Sequence, residues 1–298
     1  MSQDGRPGPA TEVFVAHRKL LFTVAYEILG SAADAEDVLQ ETWLRWSDVD
    51  LATVRNQRAY LVRITARQAL GRLRTLRRRR ESYTGPWLPE PLLTAPDVAE
   101  DAALAESVSL AMLLVLEMLT PTERAVFVLR EVFDLPYGEI AEAVGKTPAA
   151  ARQIAHRARA RVAARRPRAT VSPAQARAAL AAFQYAVETG ELQGLLDLLA
   201  PDVVALSDGG GLVSSVRQPV AGADRVGCLL AGGFATFAKG LTLETAWVNG
   251  GPALLGRRHG PVDLVLAVRM EEGLVSEVYA VRNPEKLTRL ARETAVGR

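Results

Sequence analysis

The 298-residue chain has a single cysteine, Cys228. It cannot form an internal disulfide and has no neighbouring metal ligands, so neither a disulfide scaffold nor a bound metal is expected. Long apolar runs are missing as well. Nothing approaches the roughly 18 residues of a membrane span. The polar opening Met-Ser-Gln-Asp-Gly-Arg-Pro-Gly-Pro lacks the apolar core of a secretion signal. Net charge is small, only +2. With 49% hydrophobic and 23% charged residues, the composition excludes wholesale disorder. A soluble cytoplasmic protein of two or three small domains, without cofactor or membrane, is the expectation.

Split along the chain, the charge is not small at all. Residues 55–80 hold ten arginines and no acid, 81–123 hold eight acids and no base, and 146–168 hold eight bases and no acid. From residue 170 onward, twelve bases meet thirteen acids. One basic block is often just a solvated helix face. Two blocks, each on an expected helix, point to two polyanion-binding surfaces whose affinity falls with salt.

The pattern predicts two helices over 11–46 around Leu29-Gly30-Ser31, and a long helix over 57–80. Prolines 86, 89, 91 and 96 mark a linker at 84–97, and helices resume at 98–119. Thr120, Pro121 and Glu123 form a capping box and helix start. Arg165-Arg166-Pro167-Arg168 ends the helical half. Helices are expected to about Glu188 and over 191–199. Strand-like runs follow at 202–207, 212–218, 241–249, 252–258, 262–270 and 273–281. A helix at 222–238 interrupts them and Pro284 opens the last helix. The expected result is an α+β unit with a curved antiparallel sheet.

The sharpest local signal is 137–160, which fits a helix-turn-helix. Ile140 and Val144 are apolar, Gly145 sits at the turn, and Thr147-Pro148 starts the second helix. With Ala151 and Ile154 inward, Arg152, Gln153, His156 and Arg157 face out, with Arg159 and Arg161 available for phosphates. The segment 120–162 resembles the DNA-binding domain of extracytoplasmic-function (group IV) bacterial sigma factors. The resemblance implies that Lys146, Thr147, Arg152, Gln153, His156, Arg157 and Arg159 serve minus-thirty-five promoter DNA. Residues 34–43 are similar to the segment that docks on the clamp helices of the RNA polymerase β′ subunit. It assigns core docking to Asp34, Glu36, Asp37, Gln40, Glu41 and Trp43. The basic helix 57–80 looks like the one that opens the minus-ten element, with Arg63, Arg67 and Arg74 on one face. Arg67 and Gly71 depart from the asparagine and aspartate common there.

Three further stretches, in order, resemble the sigma factor J-like subgroup, in which a SnoaL-like domain is fused at the C-terminus. They are Trp87-Leu88-Pro89-Glu90-Pro91, Asp208-Gly209-Gly210-Gly211 and Asn283-Pro284-Glu285-Lys286-Leu287. Leu212 and Glu285 depart from the subgroup's basic residue and aspartate. The implied fold is two all-α sigma domains followed by an α+β SnoaL-like cone-shaped roll. Expected boundaries are 10–82, an acidic linker at 83–103, 104–168, and a regulatory domain at 170–292. The three stretches are expected to meet, holding the linker through an intramolecular contact. Asp208, Asp263 and His259 are the acid–base candidates, but neither His259 nor Asp263 stands in a recognisable catalytic spacing, so no enzyme is expected. A small ligand in the C-terminal cone is compatible with the fold. The competing readings are a DNA-binding regulator that never joins polymerase, and a cyclase or isomerase carrying a DNA-binding module.

Overall fold

Helix α1 (Pro9–Leu29) ends where Gly30 turns left-handed and its N–H returns to the Tyr26 carbonyl at 2.6 Å. Ser31 then caps α2 (Ala32–Ser47), accepting from the Asp34 N–H at 3.2 Å. Helix α3 (Gln57–Arg80) packs beside α2, with the buried Thr42 and Thr65 hydroxyls 3.3 Å apart and the Trp46 and Tyr60 ring centroids 5.8 Å apart. Ser109 separates α4 (Ala102–Val108) from α5 (Leu110–Glu117), where its hydroxyl accepts from the Met112 N–H at 3.1 Å. The Thr120–Glu123 capping box opens α6 (Pro121–Phe127), which runs into a wider turn at Val128–Val132. Helices α7 (Tyr137–Val144) and α8 (Pro148–Ala163) follow.

The remaining elements are α9 (Pro173–Thr189), α10 (Leu192–Leu196), β1 (Leu199–Asp208), β2 (Val220–Ala221) and α11 (Ala223–Phe237). They are followed by β3 (Thr242–Val248), β4 (Gly251–Arg257), β5 (Val262–Glu271), β6 (Leu274–Val281) and α12 (Pro284–Leu287). This computed structural model describes residues 8–165, 172–237 and 240–298. The proline of the Arg165–Arg168 break therefore lies outside the described residues.

Two units divide the chain. The first gathers Met1–Arg78, Val115–Arg165 and Ala295–Arg298, and the second Arg79–Leu114 and Arg166–Thr294. In the first, the C-terminal half of α1 is buried on all sides, because α2 covers one flank and α6 with the turn after it another. Arg124 on α6 is buried there. Its Nε donates to the Glu27 carbonyl at 2.8 Å and its guanidinium pairs with Glu117.

The second unit is a six-stranded sheet in the order β2-β1-β6-β5-β4-β3. Two expectations fail here. The sheet is mixed, because β1 and β6 run parallel while the other neighbours are antiparallel. Residues 212–218 form a turn, not a strand. Gly210 and Gly211 are both left-handed, and the Leu212 and Val213 N–H groups both return to the Gly209 carbonyl. Leu212 is 58% exposed, so its side chain supplies no burial to drive pairing. One sheet face packs Leu254, Leu266 and Val278 against Leu180, Phe183 and Val226 of the helices. The other packs Leu255, Val265 and Val281 against Leu88, Leu110 and Leu290. Strand alternation therefore sends neighbouring residues to opposite sides. At the ends of β1 and β6, Ser207 and Arg282 look toward the helical face, while Asp208 and Asn283 look toward the linker.

Candidate functional site

Gly145 is left-handed, φ 67°, between α7 and α8. A β-carbon is strained in that conformation, which accounts for glycine at the turn. Thr147 caps α8 by accepting from the Ala150 N–H at 3.2 Å. Ala151, Ile154, Ala155 and Ala158 are buried, and the opposite face exposes Arg152, Gln153, His156 and Arg157, with Lys146 and Thr147 just ahead. Arg159 is exposed but engaged. It donates to Glu131 and to the Tyr137 hydroxyl, each at 2.7 Å, and the bond to Glu131 raises its pKa. Arg161 pairs with Glu123 at 2.7 Å. The two arginines expected to be available for phosphates are thus both held in ion pairs.

On α2, Asp37, Gln40 and Glu41 are exposed, and Asp34, Glu36 and Trp43 are half-buried. Trp43 lies edge-on to Phe14, ring centroids 5.3 Å apart. Arg72, from inside the basic run of α3, gathers this acidic surface. It reaches Asp34 at 2.6 Å, Asp37 at 2.5 Å and Glu41 at 3.9 Å. Arg18 holds Glu36 at 2.7 Å. Further along α3, Arg63 pairs with the Glu142 carboxylate of α7 and Arg67 donates to the Glu142 carbonyl at 3.1 Å. Arg74 is exposed.

The three stretches from the linker and the C-terminal unit come together around Asp208. Its carboxylate is fully buried and accepts from the Tyr83 hydroxyl at 2.7 Å, the Leu88 N–H at 2.8 Å, the Gly210 N–H at 3.0 Å and Lys286 Nζ at 2.7 Å. Lys286 also donates to the Leu88 carbonyl at 2.5 Å. The Trp87 ring lies between two cations, with Arg80 3.6 Å and Lys286 4.3 Å from its centroid. Asn283 donates to the Tyr83 hydroxyl at 2.8 Å and caps α12 by accepting from the Glu285 N–H at 3.0 Å. A β-carbon on Gly210 would collide with the Asn283 side-chain amide, so only glycine lets that amide pack this closely on the turn. Leu88, Pro89, Glu90 and Pro91 are buried, Glu90 facing Arg289 at 3.8 Å. Leu287 joins the apolar cluster around Leu88. Gly209 and Gly211 continue the turn, with Gly211 beside Thr84 and Gly209 beside Ser215. Pro284 starts α12, and Glu285 is exposed.

Burial pushes the Lys286 ammonium down from 10.5 to about 8, although Asp208 pulls the other way. Burial, reinforced by Asp208, pushes the Tyr83 phenol up. In the unfolded chain Lys286 keeps its proton to 10.5, so between about pH 8 and 10 unfolding binds a proton and stability rises with pH. Below about pH 8 the ammonium is charged in both states and its burial cost stands in full. Above about 10 the Tyr83 phenol reverses the trend, because the unfolded tyrosine ionises first. Urea unfolding of the parent and of Lys286→Met from pH 7.5 to 10 should therefore diverge, the parent alone gaining on the order of 1–3 kcal/mol. Parallel curves would mean that Lys286 titrates as an ordinary lysine.

Sequence reasoning missed a second hold on the linker. Leu93 forms an antiparallel bridge to Val248 on the edge strand β3, flanked by Thr94 N–H to the Trp247 carbonyl and Asn249 N–H to the Leu92 carbonyl, both at 2.9 Å. The Asn249 side chain accepts from the Leu92 N–H at 2.9 Å and donates to the Val108 carbonyl at 2.7 Å. Asn249-Gly250 is the tight turn between β3 and β4, both residues left-handed, a signal that was readable in the sequence. Tyr83 and Arg72 carried no comparable signal. Of the acid–base candidates, Asp263 pairs with Arg258 at 3.1 Å, His259 is exposed on a left-handed turn, and Asp208 is committed to the linker.

An acidic helix, an arginine-rich helix and a helix-turn-helix, in that order, define a promoter-reading architecture. Residues 13–79 match the family model Sigma-70 region 2, and residues 109–162 match Sigma-70, region 4. The ECF RNA polymerase sigma factor SigJ of Mycobacterium tuberculosis is 35% identical over 305 residues, covering 96% of this chain and 97% of that protein. The probable ECF RNA polymerase sigma factor SigI of the same organism is 33% identical over 292 residues, covering 97% and 98%. The chain belongs to the extracytoplasmic-function RNA polymerase sigma factors. The crystal structure of M. tuberculosis SigJ superposes with a TM-score of 0.77 at 33% identity, over 94% of this chain and 99% of that one. Two helical sigma domains followed by an α+β SnoaL-like domain with a mixed sheet is thus the architecture, as the resemblance implied.

Proposed function

We propose that this sigma factor recruits core polymerase to promoter DNA in the cytoplasm and that its own C-terminal domain regulates it by holding the linker. Residues 10–82 form the core-docking and minus-ten domain, 83–103 the linker, 104–168 the minus-thirty-five domain, and 170–292 the regulatory domain. Docking falls to the acidic surface of α2, minus-ten contacts to Arg63, Arg67 and Arg74, and minus-thirty-five contacts to the exposed face of α8. The single observation supporting regulation is the burial of Leu88–Pro91 beside Asp208 and Lys286. A linker joining two DNA readers needs no such burial merely to connect them. The engagement of Asp263 by Arg258 and of Asp208 by the linker supports a regulatory role over a catalytic one.

Run-off transcription with core polymerase tests the reading. Trp87→Ala removes the ring between two cations, and truncation before Asn283 removes Lys286 as well. Each should change full-length transcription at least severalfold, while the truncation differs from removal of everything after Arg168. Transcription equal to the parent in both would leave the C-terminal domain a passenger. On α8, Arg152→Ala should cost about 1–3 kcal/mol at one base pair if it reads a base edge, measured as lost discrimination in competition binding. A uniform loss across sequences would reassign Arg152 to a phosphate.

A further inference from the structure

A cavity of about 240 Å³ lies between α11 and the helical face of the sheet, on the side away from the linker. Leu230, Leu264, Leu266, Val278 and Ala280 make its walls apolar. Its polar lining residues are Arg258, Arg282, Asp263, Ser207, Ser214 and Ser215. Asp263 is the only carboxylate among the described lining residues, and Arg258 takes it at 3.1 Å. Arg282 donates to the Ser214 carbonyl. Among the described lining residues, two guanidinium groups and one carboxylate carry a net positive charge beside an apolar space. Burial pushes the Arg282 guanidinium down, with Arg258 adding to the effect and Asp263 opposing it.

The helix itself keeps the space open. Gly233 sits in the interior of α11, where glycine is among the poorest helix formers, and a β-carbon built there meets nothing within 4 Å. Leucine at that position would be better for the helix and would extend into the open space beside Gly233. The volume is below the usual range for drug-sized ligands, so the occupant is compact.

We propose that this cavity binds a compact monocarboxylate, its apolar body among the leucines and its carboxylate between Arg258 and Arg282. Guanidinium groups suit a planar carboxylate because their paired N–H donors match its two oxygens. A neutral ligand of the same shape would fill the walls and leave the two arginines as they are.

The test uses the full-length protein and three acids, benzoate, 3-phenylpropanoate and octanoate, each beside its primary amide, titrated by calorimetry. At least one acid should bind saturably and at least tenfold tighter than its amide. Arg282→Met should weaken that acid at least tenfold, and Arg258→Met provides the same reading if the first variant does not fold. Gly233→Leu should abolish binding of acid and amide alike while thermal unfolding stays cooperative. Absence of saturable binding by all three acids would overturn the proposal. So would equal affinity for acid and amide, or full affinity in Gly233→Leu. The readout is binding, not transcription, so its failure leaves the sigma-factor reading standing.

Discussion

Asp208→Ala is expected to destabilise the C-terminal unit by about 3–5 kcal/mol, the cost of leaving a buried charge without its partner. The carboxylate is fully buried and serves four donors: Tyr83, the Leu88 and Gly210 N–H groups, and Lys286. Removing it strands an ammonium whose side chain is only 12% exposed, together with a buried backbone donor. Asp208→Asn keeps one acceptor oxygen, for either the Tyr83 and Gly210 pair or the Leu88 and Lys286 pair, and loses the charge and the other acceptor, so its cost should be smaller than that of alanine. Urea unfolding measures the difference, and limited proteolysis between residues 83 and 94 should accelerate in parallel. A loss under about 1 kcal/mol would mean that water replaces the carboxylate easily, against its burial.

The second large effect is expected on polymerase binding. Asp37→Lys combined with Glu41→Lys should weaken core association about a hundredfold or more, because like charges across an interface cost several kcal/mol. Both side chains are about half exposed, at 52% and 50%, so the fold does not depend on their burial. The substitution also turns two partners of Arg72 into repelling neighbours. Circular dichroism melting of the variant therefore separates a lost interface from a lost helix. Unchanged capture by core polymerase, with the helix intact, would remove the docking assignment from this face.

Local signals made the helical half legible. Ser31, Thr120 and Thr147 each cap a helix through their own side chain, and Gly30 and Gly145 each end one left-handed. Such features act over three or four residues, the range a sequence reveals directly. The parallel pairing of β1 with β6 joins Ala205 to Val278, and nothing in either strand's composition distinguishes parallel from antiparallel partners. Residues 212–218 carry strand-like valine and leucine, yet their conformation is set by Asp208 and the left-handed glycines before them. Asn249 announced a turn but not its second task, because the linker it binds lies 157 residues earlier. Arg72 was indistinguishable from the nine other arginines of its basic block until its position facing α2 was known.

The alternation at the ends of β1 and β6 limits how this family can change length. Ser207 and Asp208, and likewise Arg282 and Asn283, are neighbours facing opposite sides of one sheet. A single-residue insertion or deletion within either strand would exchange the two sets, carrying an arginine to the linker and an amide to the cavity. Substitution can adjust one side without touching the other, but gaps in these strands damage both at once. Insertions and deletions should therefore accumulate instead at the exposed turns around His259-Gly260 and Glu272-Gly273, where the chain reverses beyond the paired registers.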